Sequence, residues 1–326
     1  MTFTRRRAVA SLAVLTALPL AGGNAMAAGW PERPIRLVLP YAAGGPTDAV
    51  ARAIAQKMAT ELGQPVVVDN KVGASGDIGT DFVAKAPADG YTVLYHSSGI
   101  ALSPALKKKP VFDPLKDFAP VSWVATIPGV LVVNPKLPVN NVAQLVQYLK
   151  ANPGKAAYGS GGTGNGSHLA MVQFLQAQGV EAVHVPYKGT NPALMDLIGG
   201  QVQFMLDAIS TSLPYIRDNR LRVLATTGLE RSALLPDVPT LNESGMRGYS
   251  FQTWQGLLVP ANTPAAVVQK LNAAAVRAAD DPAIQRQFAA QGVVMRGSSA
   301  AEFSTMLKNE VAYWAKAVKA ANVEPE

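Results

Sequence analysis

The chain has 326 residues, 48% hydrophobic and 16% charged, with no cysteine. That composition excludes a disordered chain, a disulfide framework, a thiol nucleophile and a lipid anchor on an N-terminal cysteine. The formal charge of +7 falls to +4, 26 basic against 22 acidic residues, once the three arginines of the first 27 residues are set aside, too little for a nucleic-acid surface.

Those first residues, "MTFTRRRAVASLAVLTALPLAGGNAMA", place Arg5, Arg6 and Arg7 before the apolar run 8–20 and the small-residue site Ala25-Met26-Ala27. This is the pattern of a secretory signal peptide cut after about Ala27. The run is short of the ~20 residues a membrane-spanning helix needs, and Pro19 breaks its end. Thr4-Arg5-Arg6 also fits a twin-arginine signal, so Sec and twin-arginine export both stay open. The reading is a soluble, exported, periplasmic protein.

The stretch "IRLVLPYAAGGPTDAVARAIAQKMATELGQPVVVDN" follows. It predicts a β-branched strand, a Gly-Gly loop, a helix opening at Thr47 or Asp48 and stopping at Gly63, and a strand over 66–68. The loop "KVGASGDIGT" then adds Gly73, Ser75 and Gly76 before a short helical pattern. Lys107, Lys108 and Lys109, without interleaved aromatics, read as a solvated turn.

"KAAYGSGGTGNGSHLAMVQFLQAQGVEAVHVPY" repeats the strand, glycine loop, helix, strand unit, its helix opening near Ser167 and stopping at Gly179. Gly159, Gly161 and Gly164 spell G-x-G-x-x-G, which taken alone permits a dinucleotide-binding oxidoreductase. Against it, the acidic residue expected at the end of the next strand is absent: Glu181 opens that run instead of closing it. Strands alternating with helices argue for parallel α/β sheets. Two such units imply two similar α/β domains, each with an anion-ready loop at the carboxyl edge of its sheet, where open α/β sheets bind ligands. Crossing strands near 124–127 and just before "TWQGLLVP" are expected to join them. Toward the C-terminus, Pro264 and Pro282 mark helix starts, Gly292 follows a helix end, and Ser299 with Glu302 forms a capping box. Trp314 on the last helix reads as a packing residue.

The motifs "LPYAAGGPTDAVAR", "DNKVGASGDIGTDFVAKAPADGYTVL", "YGSGGTGNGSHLAM", "VPYKGTNPALMDLIGGQVQFMLD" and "LPDVPTLNESG" occur in this order over nearly the whole chain beyond the leader. The pattern resembles the tripartite tricarboxylate transporter receptors, also called Bug-type extracytoplasmic solute-binding proteins. The resemblance implies a fold like the type II periplasmic binding proteins, with a ligand cleft between the two domains. It also implies a receptor that passes a small carboxylate to a membrane permease. On that reading the domains are residues 28–126 with 251–326, and residues 127–250. Ser75 stands where a glycine is frequent in the family, and so adds a hydroxyl.

By position, the expected contacts are Tyr41, Gly45, Thr47 and Asp48 in the first loop, Ser75 in the second, and Ser97 and Ser98 after "YTVLYHSS". The other domain offers Ser160, Gly162, Thr163, Gly164, Asn165 and His168, then Tyr187 in "PYKG" and Asp207 after "VQFML". The three loops hold no arginine. Backbone N–H groups, hydroxyls and helix N-termini are therefore expected to compensate the ligand's charge. Two structural roles compete with contact: Asp48 as a helix cap, and His168 as a partner of its own loop. The partners are thus a small di- or tricarboxylate, acidic amino acid or aromatic acid, and the permease subunits; the receptor is a monomer with no cofactor, metal or nucleic acid. The alternative from another class is an exported hydrolase using Ser167 or Ser98 with His168, although no G-x-S-x-G elbow occurs.

Overall fold

The computed structural model describes residues 29–325; the leader and its cleavage site lie outside them. In chain order the first elements are β1 (Ile35–Leu39), α1 (Pro46–Leu62), β2 (Val66–Asn70), α2 (Asp77–Ala84) and β3 (Thr92–Ser97). The short helix α3 (Gly99–Leu102) runs into a 3-10 turn (Ser103–Leu106), and β4 (Phe118–Val133) follows. Then come α4 (Val142–Ala151), β5 (Ala157–Ser160), α5 (Gly166–Gln178), β6 (Val183–Pro186), α6 (Thr190–Gly199) and β7 (Phe204–Ala208). The chain closes with α7 (Ile209–Arg217), β8 (Arg222–Thr226), β9 (Gln252–Pro260), α8 (Ala265–Ala279), α9 (Pro282–Ala289), β10 (Val294–Met295) and α10 (Ala300–Ala320).

Both predicted units form. The first helix ends at Gly63, with φ 66°, and the second at Gly179, with φ 60°. Both glycines take the left-handed conformation that a side chain disfavours and a helix stop requires. Ser299 and Glu302 make the reciprocal capping box on α10. Pro264 is the residue before α8, extended at ψ 136°, and not its first turn; Pro282 opens α9 as expected.

The strands form one sheet in the order β2-β1-β3-β9-β4-β7-β5-β6, with β8 and β10 also pairing β4. β1 pairs β2 and β3 in parallel, and β5 pairs β6 and β7 in parallel. Between these two parallel sets run the antiparallel strands β9 and β4. β4 pairs β9 and β10 through residues 118–128 and β7 and β8 through residues 129–133, so one strand serves both α/β halves.

Successive strand residues enter opposite cores, as a two-sided sheet requires. Val38, Leu94, Leu131 and Leu258 face a core closed by α4, α5 and α10. Leu37, Val93, Val130 and Leu257 face one closed by α1, α6, α8 and α9. Helices on both faces leave the strand ends as the free surface, and there the loops gather.

The outgoing crossing lies at Gly129, slightly past the expected 124–127, and the return at Phe251, just before "TWQGLLVP" as expected. Gly129 donates to Thr227 Oγ1 at 2.8 Å, Thr227 donates its amide to Gly129 O at 2.9 Å, and Phe251 donates its amide to Thr227 O at 3.2 Å. The outgoing strand, the end of β8 and the returning strand are thus tied at one node. A second tie links the last helix to the other half. Tyr313 OH donates to Gln173 Oε1, and Gln176 Nε2 donates to Ala320 O at 3.0 Å. Among the described residues no helix is long and apolar enough to cross a membrane.

Candidate functional site

Strand ends from both halves border a cleft of about 610 Å³, a size that suits a small molecule. From the first half come Tyr41 after β1, Ser75 after β2, and Ser97 and Ser98 at the end of β3. The second half contributes Thr163, Gly164 and Asn165 after β5, Thr190 after β6, Asp207 at the end of β7 and Thr211 on the first turn of α7. Ile127, Gly129, Phe251 and Thr253 from the crossing strands form its base, and Trp314, Val323 and Glu324 close it from the C-terminal side.

Eight expected residues therefore share one wall: Tyr41, Ser75, Ser97, Ser98, Thr163, Gly164, Asn165 and Asp207. Gly45, Thr47, Asp48, Ser160, Gly162, His168 and Tyr187 stand off it, and for most of them the structure gives a physical reason. Asp48 accepts from the Gly44 amide at 2.9 Å, Arg52 Nε at 2.9 Å and Asn70 Nδ2 at 3.0 Å. The Arg52 guanidinium beside it, more than the other bonds, holds its carboxyl down at about 2. This carboxylate ties α1 to β2 and does not act as the N-cap, which is Gly45. Tyr187 donates to Asp196 at 2.7 Å. His168 accepts from the Gly164 amide at 3.1 Å through Nδ1, the structural role weighed for it above.

At positions 161, 162, 164, 165 and 167 the amides expected to face an anion are instead bonded within the second loop. In the second loop Gly161 donates to Ser167 Oγ, Gly162 to Ser160 Oγ, Gly164 to His168, Asn165 to Gly162 O and Ser167 to Asn165 Oδ1. The short polar side chains within and just after the glycine run bend back onto it, as serine and asparagine do at helix starts. Side-chain hydroxyls are left on the wall instead. Those of Ser75, Ser98, Thr163 and Thr190 have no hydrogen-bond partner among the described residues. Ser75 sits at φ 57° and ψ 25°, a left-handed conformation in which a glycine would be unstrained.

Asp207, only 2% exposed, is the acid at the back of the cleft. Burial raises its pKa, opposed by bonds from Thr211, Ser212 and the Ala208 backbone. Ser212 Oγ donates to Oδ2 at 2.7 Å, and Thr211 Oγ1 donates to the same oxygen. Thr211 was legible in principle as a hydroxyl on the first turn of the helix directly after the strand that carries Asp207. Lys107 was not: of the three lysines read as a solvated turn, Lys108 and Lys109 are exposed, while Lys107 lines the cleft and pairs with Asp77. Trp314 is both, buried in the core and on the wall.

Behind the second loop, the His168 and His184 rings stack with centroids 4.0 Å apart, and Tyr158 lies against both. Ser160 Oγ is 2.7 Å from His184 Nε2. Of the hydrolase arrangement expected as the alternative, Ser167 Oγ donates to Asn165 Oδ1, and His168 Nδ1 accepts from the Gly164 amide. Burial lowers the pKa of His96 and of His184 from 6.5 to about 4, and lowers that of His168 as well.

A folded-state value below the unfolded one means that the unfolded chain takes up protons first as pH falls. Their contribution is fully present above about 6.5 and is lost progressively toward about 4. The urea midpoint is therefore expected to fall from pH 7 to pH 5, and His184→Gln to flatten that slope; an unchanged slope would remove His184 from the acid response.

The chain matches the profile of the tripartite tricarboxylate transporter family receptor over residues 50–323. Among solved structures it is similar to the periplasmic binding protein BugD, with 38% identity and a TM-score of 0.75 over 91% of this chain and 100% of that one. It is similar to R. palustris Rpa4515, solved with adipate, at 35% identity and a TM-score of 0.78 over 91% and 100%. MatC from Rhodopseudomonas palustris, solved with bound malate, is 32% identical with a TM-score of 0.73 over 89% and 100%.

Proposed function

The chain belongs to the tripartite tricarboxylate transporter receptor family, and from that premise we propose that it is an exported receptor. It captures a small carboxylate in the interlobe cleft and delivers it to the membrane permease of a tripartite tricarboxylate-type transporter. It works in the periplasm as a monomer, after loss of the leader at about Ala27, and binds without catalysing a reaction. The lobes are residues 28–126 with 251–326, and residues 127–250.

One observation carries this reading: hydroxyls without protein partners meet from both halves across a single cleft. Ser75 and Ser98 belong to the first half, Thr163 and Thr190 to the second. A ligand bridging them stabilises the closed arrangement, with the lobes turning about Gly129 and Phe251. The bound adipate and malate of the two neighbours support an acid as that ligand. Each hydrogen bond to a carboxylate contributes about 1.5–3 kcal/mol. Four or five of them, less ordering and desolvation costs, reach the roughly −8 kcal/mol of a micromolar complex.

The test is mass spectrometry of whatever co-purifies, together with thermal shifts over a panel of carboxylates. A shift of several degrees by at least one di- or hydroxyacid is expected. Stabilisation only by nicotinamide cofactors, or ester hydrolysis that His168→Ala abolishes, would overturn the receptor reading.

A further inference from the structure

We propose that Lys107 is a specificity-determining residue, and that its ammonium takes the second carboxylate of a dicarboxylate ligand. The inference rests on the receptor reading above and narrows its substrate class. A dicarboxylate brings two charges out of water, and hydroxyl donors alone compensate poorly for both. Among the described residues of the cleft wall, Lys107 is the one cation; the other two charged side chains there, Asp207 and Glu324, are acids. A monoanion can be held by hydroxyls. A second carboxylate facing those two acids needs the lysine.

The fold delivers this side chain to the cleft. The 3-10 turn Ser103–Leu106 precedes it, and Leu106 reaches across to the loop of the other half. There Gly164, at φ 74°, leaves the room: an added Cβ would lie 2.7 Å from Leu106 Cδ2. Lys107 thus sits beside the contact between lobes. Its partner Asp77 is buried at the first turn of α2 and also accepts from Ser103 Oγ at 3.0 Å. The Asp77 charge is therefore shared among the lysine, a hydroxyl and a helix N-terminus. An ammonium has three N–H donors, so the pairing anchors the lysine without exhausting it.

The experiment is calorimetric titration of the purified chain with matched acids, succinate against butyrate and adipate against hexanoate. In the parent chain at least one dicarboxylate is expected to bind about tenfold or more tighter than its monocarboxylate match. Lys107→Gln is expected to weaken that dicarboxylate by about 10- to 100-fold, the worth of one charge-assisted bond, and to leave monocarboxylates within about threefold. Lys107→Arg should retain most of the preference. Asp77→Asn, which keeps the lysine and removes its partner, should raise the ratio of dicarboxylate to monocarboxylate affinity; this reading stands even if Lys107→Gln fails to fold.

A ratio untouched by Lys107→Gln, equal losses for both acids, or a ratio lowered by Asp77→Asn would overturn the role of Lys107. The carboxylate reading would stand in each of those cases. If no acid of either kind bound the parent chain, that reading would fall and the proposal with it.

Discussion

Gly129→Ala is expected to lower the melting temperature and to weaken ligand binding. A Cβ at this position would stand 2.9 Å from Thr227 Oγ1, 3.0 Å from Phe251 Cδ1 and 3.1 Å from Asp207 O. None of the three can yield cheaply. Thr227 Oγ1 accepts the Gly129 amide and donates to Phe251 O, Phe251 returns its amide to Thr227, and the Asp207 carbonyl belongs to a paired strand.

Overpacking of such a site costs about 1–3 kcal/mol, or a fall of about 2–5 °C for a chain of this size. Gly129 also borders the cleft, so displaced strands carry Asp207 and Phe251 with them. Binding should weaken by at least about tenfold. Differential scanning calorimetry with and without a bound acid checks both effects. A melting temperature within a degree of the parent would mean that the node is not rigid, and the hinge assigned to it would have to move.

The second large effect concerns Asp207. Its Oδ2 is already held by two hydroxyls, and the residue remains on the wall. Such a group accepts a hydrogen bond from a ligand hydroxyl or amine and repels a carboxylate placed next to it. Asp207→Ala is expected to weaken malate or aspartate by about 10- to 100-fold, the range of one hydrogen bond to a charged group, and to spare succinate, which lacks the donor. Equal losses for all three would remove Asp207 from ligand discrimination.

The variant also strands the Ser212 hydroxyl, while Thr211 Oγ1 keeps its bond to Ala208 O at 2.9 Å, at a cost of about 1–3 kcal/mol in stability. Comparing ligands within one variant cancels that cost. Asp207→Asn, which keeps an acceptor oxygen, should restore most of the stability and part of the malate affinity.

Much of the fold was legible because it is written in local chemistry. The helix stops at Gly63 and Gly179, the capping box at Ser299, and the strand, loop and helix order of both units depend on residues within a few positions of one another. The full extent of β4 was not legible. Its partners lie more than a hundred residues away in β9 and beyond seventy in β7, and no local pattern distinguishes a long shared strand from two short ones.

The site divides along the same line. Residue types at the strand ends pointed to Tyr41, Ser75, Ser98, Thr163 and Asp207, which do meet at one cleft. Composition alone could not show where the loops spend their hydrogen bonds. A glycine loop with serine, asparagine and histidine nearby can turn its amides outward to an anion or inward to those side chains, and the two outcomes share one sequence. Here the amides of Gly161, Gly162 and Gly164 turn inward.

The sequence by itself thus determined the α/β class and the two repeated units, because period, capping and turn chemistry act over short spans, and its five ordered motifs carried the resemblance to the family. Tertiary structure alone decided that Asp48 serves as a tie between elements, that Gly129 is the point where the strands cross, and that one lysine of three faces the cleft. Those outcomes depend on which distant backbone or side chain arrives alongside, and long-range packing sets that only when the whole sheet has closed.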